Sequence, residues 1–160
     1  MSSYDYVIVG GGSAGCVLAG RLSEDPAIRV CLLEAGPPDS SILVRAPIGI
    51  GAILPGKYLN WAFDPVPQAG LHQDGIPGRR GYQPRGKVLG GSSSINAMIY
   101  TRGHPWDYDH WAELGNPGWS YAEVLPYFKK SQNQERGGDQ FHGTGGPLNV
   151  ANLRTLNPMA

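Results

Sequence analysis

Gly10, Gly12 and Gly15 fit the spacing G-x-G-x-x-G, and Glu34 stands about 20 residues beyond them. These residue types in this order suit one chemistry, the holding of a dinucleotide by its diphosphate and ribose. The first glycine permits a tight turn, the second lets backbone approach a pyrophosphate, and the third lets a helix pack closely on a strand. Ser13 and Ala14 lie between them, at the start of a helix whose free N–H groups and partial positive charge suit an anion. A carboxylate at Glu34 would accept hydrogen bonds from ribose hydroxyls and repel the 2′-phosphate of NADP. It does not separate NAD from FAD.

A glycine-rich turn alone says little, so the neighbouring elements carry the reading. Val7-Ile8-Val9 is apolar at every position, as in a parallel strand covered by helices on each side. Val30 to Leu33 supply a second strand that ends at Glu34. Strand, turn, helix, strand and terminal acid follow in order within the roughly 30 residues of a βαβ unit.

Composition narrows the class. The 160 residues suffice for one domain with a core, and the 13 basic and 13 acidic residues are scattered, which argues against a nucleic-acid footprint. Cys16 and Cys31 fall on the first helix and the second strand and read as buried free thiols in a reducing compartment. Neither has a histidine or cysteine at metal-ligand spacing, so no metal site is expected. The apolar N-terminus lacks a basic leader, and no run reaches the roughly 18 to 20 apolar residues of a membrane span. A cytoplasmic protein without a transmembrane segment is predicted, with peripheral attachment to a membrane left open.

The 24 glycines and 14 prolines are many for this length, and turn residues dominate positions 36–91. Only short apolar pieces interrupt them, Ile42-Leu43-Val44 and Ile48 to Leu54. No parallel strand is expected after Glu34, and two strands do not complete a doubly wound sheet. The predicted class is therefore α/β: a Rossmann-like βαβ core over 1–36, extended loops over 37–104, and cap-like packing helices and loops over 105–160. That is an incomplete doubly wound domain, the N-terminal part of a longer protein.

A second glycine segment runs from Arg85 to Asn96. Gly90 and Gly91 let backbone come close to something flat or anionic, Ser92 or Ser93 suits an N-cap, and the pattern predicts a helix over Ser94 to Ile99. Beyond it, Pro105 to Leu114 predicts a helix stopped by Gly115, with Asp107 and Asp109 at its positive end. Two residues apart on a helix they point in different directions, which argues against a shared catalytic proton. Ser120 with Glu123 makes a capping box for a further helix. Tyr121, Val124, Leu125 and Phe128 form its apolar stripe, and Pro126 would kink or restart it.

Taken together, the two glycine segments resemble the glucose–methanol–choline (GMC) oxidoreductases, which bind FAD. The family motif reads Gly86-Lys87-x-Leu89-Gly90-Gly91-Ser92-Ser93-x-Ile95-Asn96, followed by Tyr100, Gly103 and Asp109. The likeness extends over essentially the whole chain, through Leu33 to Gly36, Asn60-Trp61, Phe141-His142-Gly143 and Gly146-Pro147-Leu148. Within the family it is nearest the choline dehydrogenase and alcohol dehydrogenase branch.

The resemblance implies FAD rather than NAD. It assigns Gly10, Gly12, Ser13, Ala14 and Gly15 to the pyrophosphate and Glu34 to the adenosine ribose. It assigns Val88, Gly91, Asn96, Ala97, Met98 and Ile99 to a second set of flavin contacts. Some members attach FAD through a histidine just before the motif's asparagine; Ile95 stands there, so noncovalent FAD is expected. Oxidation of an alcohol by flavin needs a base for the hydroxyl proton. In the family that base is a histidine of the C-terminal half, and none of His72, His104, His110 and His142 matches it. The chain is thus expected to hold no catalytic residue, with a primary alcohol or choline-like substrate reserved for the complete protein. A flavin-binding module whose partner chain supplies the base is an alternative, and an NAD-dependent dehydrogenase is another.

Overall fold

The computed structural model describes residues 3–71 and 78–154. His72 lies outside them. The chain divides into two compact units, residues 1–99 and 100–160.

The first unit is built on a βαβ crossover. Strand β1 (Tyr6–Val9) pairs in parallel with β2 (Val30–Leu33), with Tyr6 opposite Val30 and Val9 opposite Leu33. Helix α1 (Ser13–Leu22) connects them, starting at Gly12 in extended conformation and ending at Ser23. Successive strand side chains alternate between faces. Ile8 lies towards α1, close to where a β-carbon on Gly15 would sit. Val7 and Val9 take the opposite face and are exposed, Val9 at 84%. The expected cover on both sides is thus found on one side among the described residues, because α1 is the only helix laid on this two-stranded sheet.

The glycine- and proline-rich stretch that follows holds two short helices, α2 (Ile42–Arg45) and α3 (Ile50–Ile53), at the two apolar pieces picked out in the sequence. Their inward side chains contribute to the core of the unit. Ile53, Leu59, Val88 and Ile95 are buried together, with Leu43, Val44 and Leu54 packed against them. Val88 and Ile95 bracket the second glycine segment, so this core is the floor beneath it. Asn60, 1% exposed, ties the surrounding loops together: its amide group donates to the Leu54 and Gly56 carbonyls and its oxygen accepts from Ala62 and Arg85 N–H. A buried amide satisfied on both sides fixes loop conformation that apolar contact alone leaves open.

The helix expected over Ser94 to Ile99 is absent. A 3₁₀ turn spans Gly91–Ser94 instead, and the chain then opens. Two local interactions win over helix formation: the Asn96 side-chain oxygen accepts from Met98 N–H at 2.8 Å, and Met98 sits at φ +56°. Asparagine competes with the helix by bonding its own backbone two residues on.

The second unit contains helices α4 (Pro105–Glu113) and α5 (Tyr121–Ser131) and a short parallel pair, β3 (Gln132–Gln134) with β4 (Leu148–Val150). Both helices begin in capping boxes, His104 with Asp107 and Ser120 with Glu123. Gly115 takes φ +94° just past the end of α4, as a left-handed stop. Helix α5 runs through Pro126 without restarting, giving up the one backbone bond that proline cannot donate. Tyr108, buried, meets Phe128 edge-on at 5.6 Å and Trp111 at 5.5 Å, which joins the aromatic faces of α4 and α5. The parallel pair β3–β4 overturns the expectation of none after Glu34. Its strands are three residues long and β3 is wholly polar, so no apolar alternation announces it. Gln132 is nonetheless fully buried, its oxygen accepting from Arg102 Nη2 at 2.5 Å.

Among the described residues no helix is long and apolar enough to cross a membrane. Cys16 and Cys31 are free thiols, but Cys16 is exposed rather than buried. It sits in the first turn of α1, where its thiol donates to the Gly11 carbonyl at 3.2 Å.

Candidate functional site

The turn between β1 and α1 is where the sequence placed its chemistry. Gly10 takes φ +100°, a conformation that side chains resist, and its N–H donates to Leu33 of β2 at 2.7 Å. Gly15 lies against the Gly10 carbonyl, and a β-carbon there would collide with it. The first backbone bond of the helix runs from Cys16 N–H to the Gly12 carbonyl. The amides of Ser13, Ala14 and Gly15 therefore have no protein acceptor among the described residues. Three convergent donors at the positive end of a ten-residue helix suit an oxyanion.

Glu34 closes the same turn from the other side. Its Oε2 accepts from Gly11 N–H at 2.7 Å and its Oε1 from Gly36 N–H at 2.8 Å. The carboxylate is thereby fixed at the end of β2 and beside the glycine turn. A carboxylate has about four acceptor positions, so two bonds leave capacity for a ligand hydroxyl. The sequence had marked Glu34 without foreseeing that Gly11 and Gly36 would orient it. A third glycine in the run Gly10-Gly11-Gly12 was the available signal: a β-carbon on Gly11 would press on Leu89 and on the Glu34 carboxylate.

The second glycine segment meets this turn directly. Gly90 N–H donates to the Gly11 carbonyl at 2.7 Å, and Gly12 and Gly90 form a parallel bridge. Gly91, at φ +58°, packs so closely that a β-carbon would stand 2.8 Å from the Gly12 Cα. Leu89 N–H donates to the Pro37 carbonyl at 2.9 Å, while Gly36 lies flat on the Lys87–Val88 peptide. Gly86 N–H in turn donates to the Ser92 hydroxyl. Backbone atoms stand where a β-carbon would project at 36, 86 and 91, which is why glycine recurs there.

Gly10, Gly12, Ser13, Ala14, Gly15, Glu34 and Gly91 are thus gathered at one place. Val88 is wholly buried beneath them. Asn96, Ala97, Met98 and Ile99 are exposed, with Asn96 and Met98 lining a cavity of about 280 Å³ bounded also by Leu43, Ile53 and Ile95.

The described histidines serve local structure. His104 Nδ1 accepts from Trp106 N–H, His110 stacks on Trp106 at 4.8 Å, and His142 Nδ1 lies 2.8 Å from Asp139. The hydrogen bond from His142, helped by the Phe141 and His142 amides, pulls the Asp139 carboxyl down from 3.8 to about 2. Asp107 caps His104 N–H and Asp109 accepts from Tyr121 N–H, so both carboxylates are occupied by backbone. No cluster of metal-ligating side chains occurs among the described residues.

The family model for GMC oxidoreductases matches residues 4–159. The chain belongs to the GMC oxidoreductase family. Among GMC relatives, an alcohol dehydrogenase [acceptor] of Pseudomonas putida is 50% identical over 98% of this chain and 28% of its own length. The mitochondrial choline dehydrogenase of Homo sapiens is 49% identical over 98% of this chain and 27% of its own. The crystal structure of pyridoxine 4-oxidase from Mesorbium loti superposes with a TM-score of 0.82 at 42% identity, covering 92% of this chain and 28% of that one. The chain therefore spans little more than a quarter of the length of these relatives.

Proposed function

We propose that this chain is the FAD-binding N-terminal portion of a GMC flavoprotein that oxidises the CH–OH group of a primary alcohol or choline-like substrate. The observation that carries the proposal is the backbone seam between Gly11-Gly12 and Gly90-Gly91, beside three amides at the start of α1 that have no protein acceptor. The residues fit FAD. The amides of Ser13, Ala14 and Gly15 receive the diphosphate, and the absence of β-carbons at Gly10 and Gly12 leaves room for it to approach. Glu34, already oriented by two N–H groups, accepts from the ribose. Gly91 and the Asn96 to Ile99 backbone face the rest of the nucleotide, and Val88 anchors the loop from below. Ile95, 5% exposed and chemically inert, replaces any point of covalent attachment, so FAD is held noncovalently.

FAD supplies the hydride acceptor for oxidation of the alcohol carbon. In this reading the base that takes the hydroxyl proton comes from outside the described residues; within them His104, His110 and His142 are engaged in a cap, a ring stack and a hydrogen bond with Asp139. A doubly wound sheet needs further strands beside β1 and β2 and a second layer of helix over the face that carries Val7 and Val9. In the choline and alcohol dehydrogenase branch, named by the relatives above, the substrate is a small alcohol.

The complete gene product, purified from cells supplied with riboflavin, is expected to be yellow and to release its FAD on denaturation. Colourless protein that binds no FAD on reconstitution would overturn the proposal. The 160 residues alone are expected to show no turnover of choline or aliphatic alcohols with an artificial electron acceptor.

A further inference from the structure

Among the described residues, three other than glycine occupy left-handed backbone: Leu59, Ala62 and Met98, at φ between +50° and +56°. A β-carbon is crowded in that region, so each needs a compensating interaction. For Leu59 and Ala62 the compensation is visible. Leu59 is part of the buried core, and Asn60 between them is an enclosed amide bonded on both sides. At Met98 there is no such burial. Asn96, Ala97, Met98 and Ile99 are all exposed, Met98 at 61% and Ile99 at 80%.

The same small device is present at both places. The Asn60 oxygen accepts from Ala62 N–H at 3.0 Å, and the Asn96 oxygen accepts from Met98 N–H at 2.8 Å. In the first case it serves packing. In the second, the Asn96 side chain has no other protein partner among the described residues, and the turn it holds lines the 280 Å³ cavity. A crowded backbone conformation at a cavity wall is the kind of local strain that clusters at ligand sites.

We propose that Asn96 is a positioning residue, whose side-chain oxygen holds Met98 in left-handed conformation and so sets the orientation of the main chain over 96–99 towards the flavin. It acts through the Met98 amide and not by direct contact of its own amide with the cofactor. The proposal rests on the FAD reading above.

Glycine adopts the left-handed region unaided, so a glycine at 98 removes the need for Asn96. FAD titration and the visible circular dichroism of bound flavin, both in the complete gene product, provide the test. Asn96→Ala is expected to weaken FAD binding about tenfold and alter the dichroic signature. Asn96→Asp, which keeps the acceptor oxygen, is expected to bind like the parent. The double variant Asn96→Ala with Met98→Gly is expected to recover both affinity and signature. Failure of recovery, with Met98→Gly alone binding like the parent, would assign Asn96 a direct contact and overturn the proposal, as would unchanged binding in Asn96→Ala. Hydrogen exchange at the Met98 amide reads the same bond without flavin and should quicken in Asn96→Ala; an unchanged rate also overturns it. Absence of FAD from the parent protein, by contrast, would sink the FAD reading itself.

Discussion

Gly12 and Gly91, at opposite ends of the first unit's sequence, approach so closely that there is no room for a side chain on Gly91. The Gly11–Gly90 hydrogen bond beside them makes the contact a seam of main chain.

Gly91→Ala is the direct probe of that seam. The added carbon meets Gly12 Cα at 2.8 Å and the backbone stands at φ +58°, so space and conformation both oppose it. The expected cost is about 2 kcal/mol, seen as a lower thermal midpoint, together with loss of FAD binding. A variant as stable as the parent and equally flavin-loaded would contradict the seam.

Glu34→Gln keeps the shape of the side chain but replaces one acceptor oxygen with a donor. One of the Gly11 and Gly36 amides must then lose its partner. A loss of about 1.5 kcal/mol is expected, or roughly tenfold in the FAD dissociation constant measured by fluorescence quenching. Glu34→Asp should not rescue it, because the shorter side chain cannot span both amides.

Two glycines of helix α1 should behave oppositely. A β-carbon on Gly15 runs into the Gly10 carbonyl, whereas one on Gly20 meets nothing within 4 Å. Gly20→Ala is expected to raise stability by about 0.5–1 kcal/mol through helix propensity. Gly15→Ala is expected to disrupt the crossover, with loss of helical circular dichroism and of flavin binding.

The second unit carries a pH dependence. Asp139 has its carboxyl lowered from 3.8 to about 2, first by the hydrogen bond from His142 and then by the Phe141 and His142 amides. A carboxyl lowered by folding contributes stability that is complete above its ordinary value and is lost as pH falls through the folded one. Urea unfolding followed from pH 5 to pH 2 should therefore show a steeper decline in the parent than in Asp139→Asn, where the lowered carboxyls of Glu123 and Glu135 remain. Equal slopes in the two proteins would remove Asp139 as the source.

Much of this was legible from residue spacing, for reasons that are local. The βαβ crossover follows from a turn that needs Gly10 and a close approach that needs Gly15, and the capping box of Ser120 with Glu123 lies within one helical turn, whereas the box of His104 with Asp107 is not legible because histidine is a rare cap. Where the sequence misled, the deciding interaction was either a side chain turned on its own backbone or a contact with a distant segment. Asn96 cancels the helix expected over Ser94 to Ile99 by bonding Met98. The pair β3–β4 buries Gln132, whose oxygen accepts from the distant Arg102, and no alternation of apolar residues announces it. The meeting of Gly12 with Gly91 is likewise invisible in either segment alone, since each glycine pattern explains itself as a turn.

The seam also fixes an order of events during synthesis. The turn from Gly10 to Gly15 lacks its main-chain partner until Gly90 and Gly91 have been made. A nucleotide arriving earlier finds half a berth, so cofactor loading in the cell waits on translation past this point.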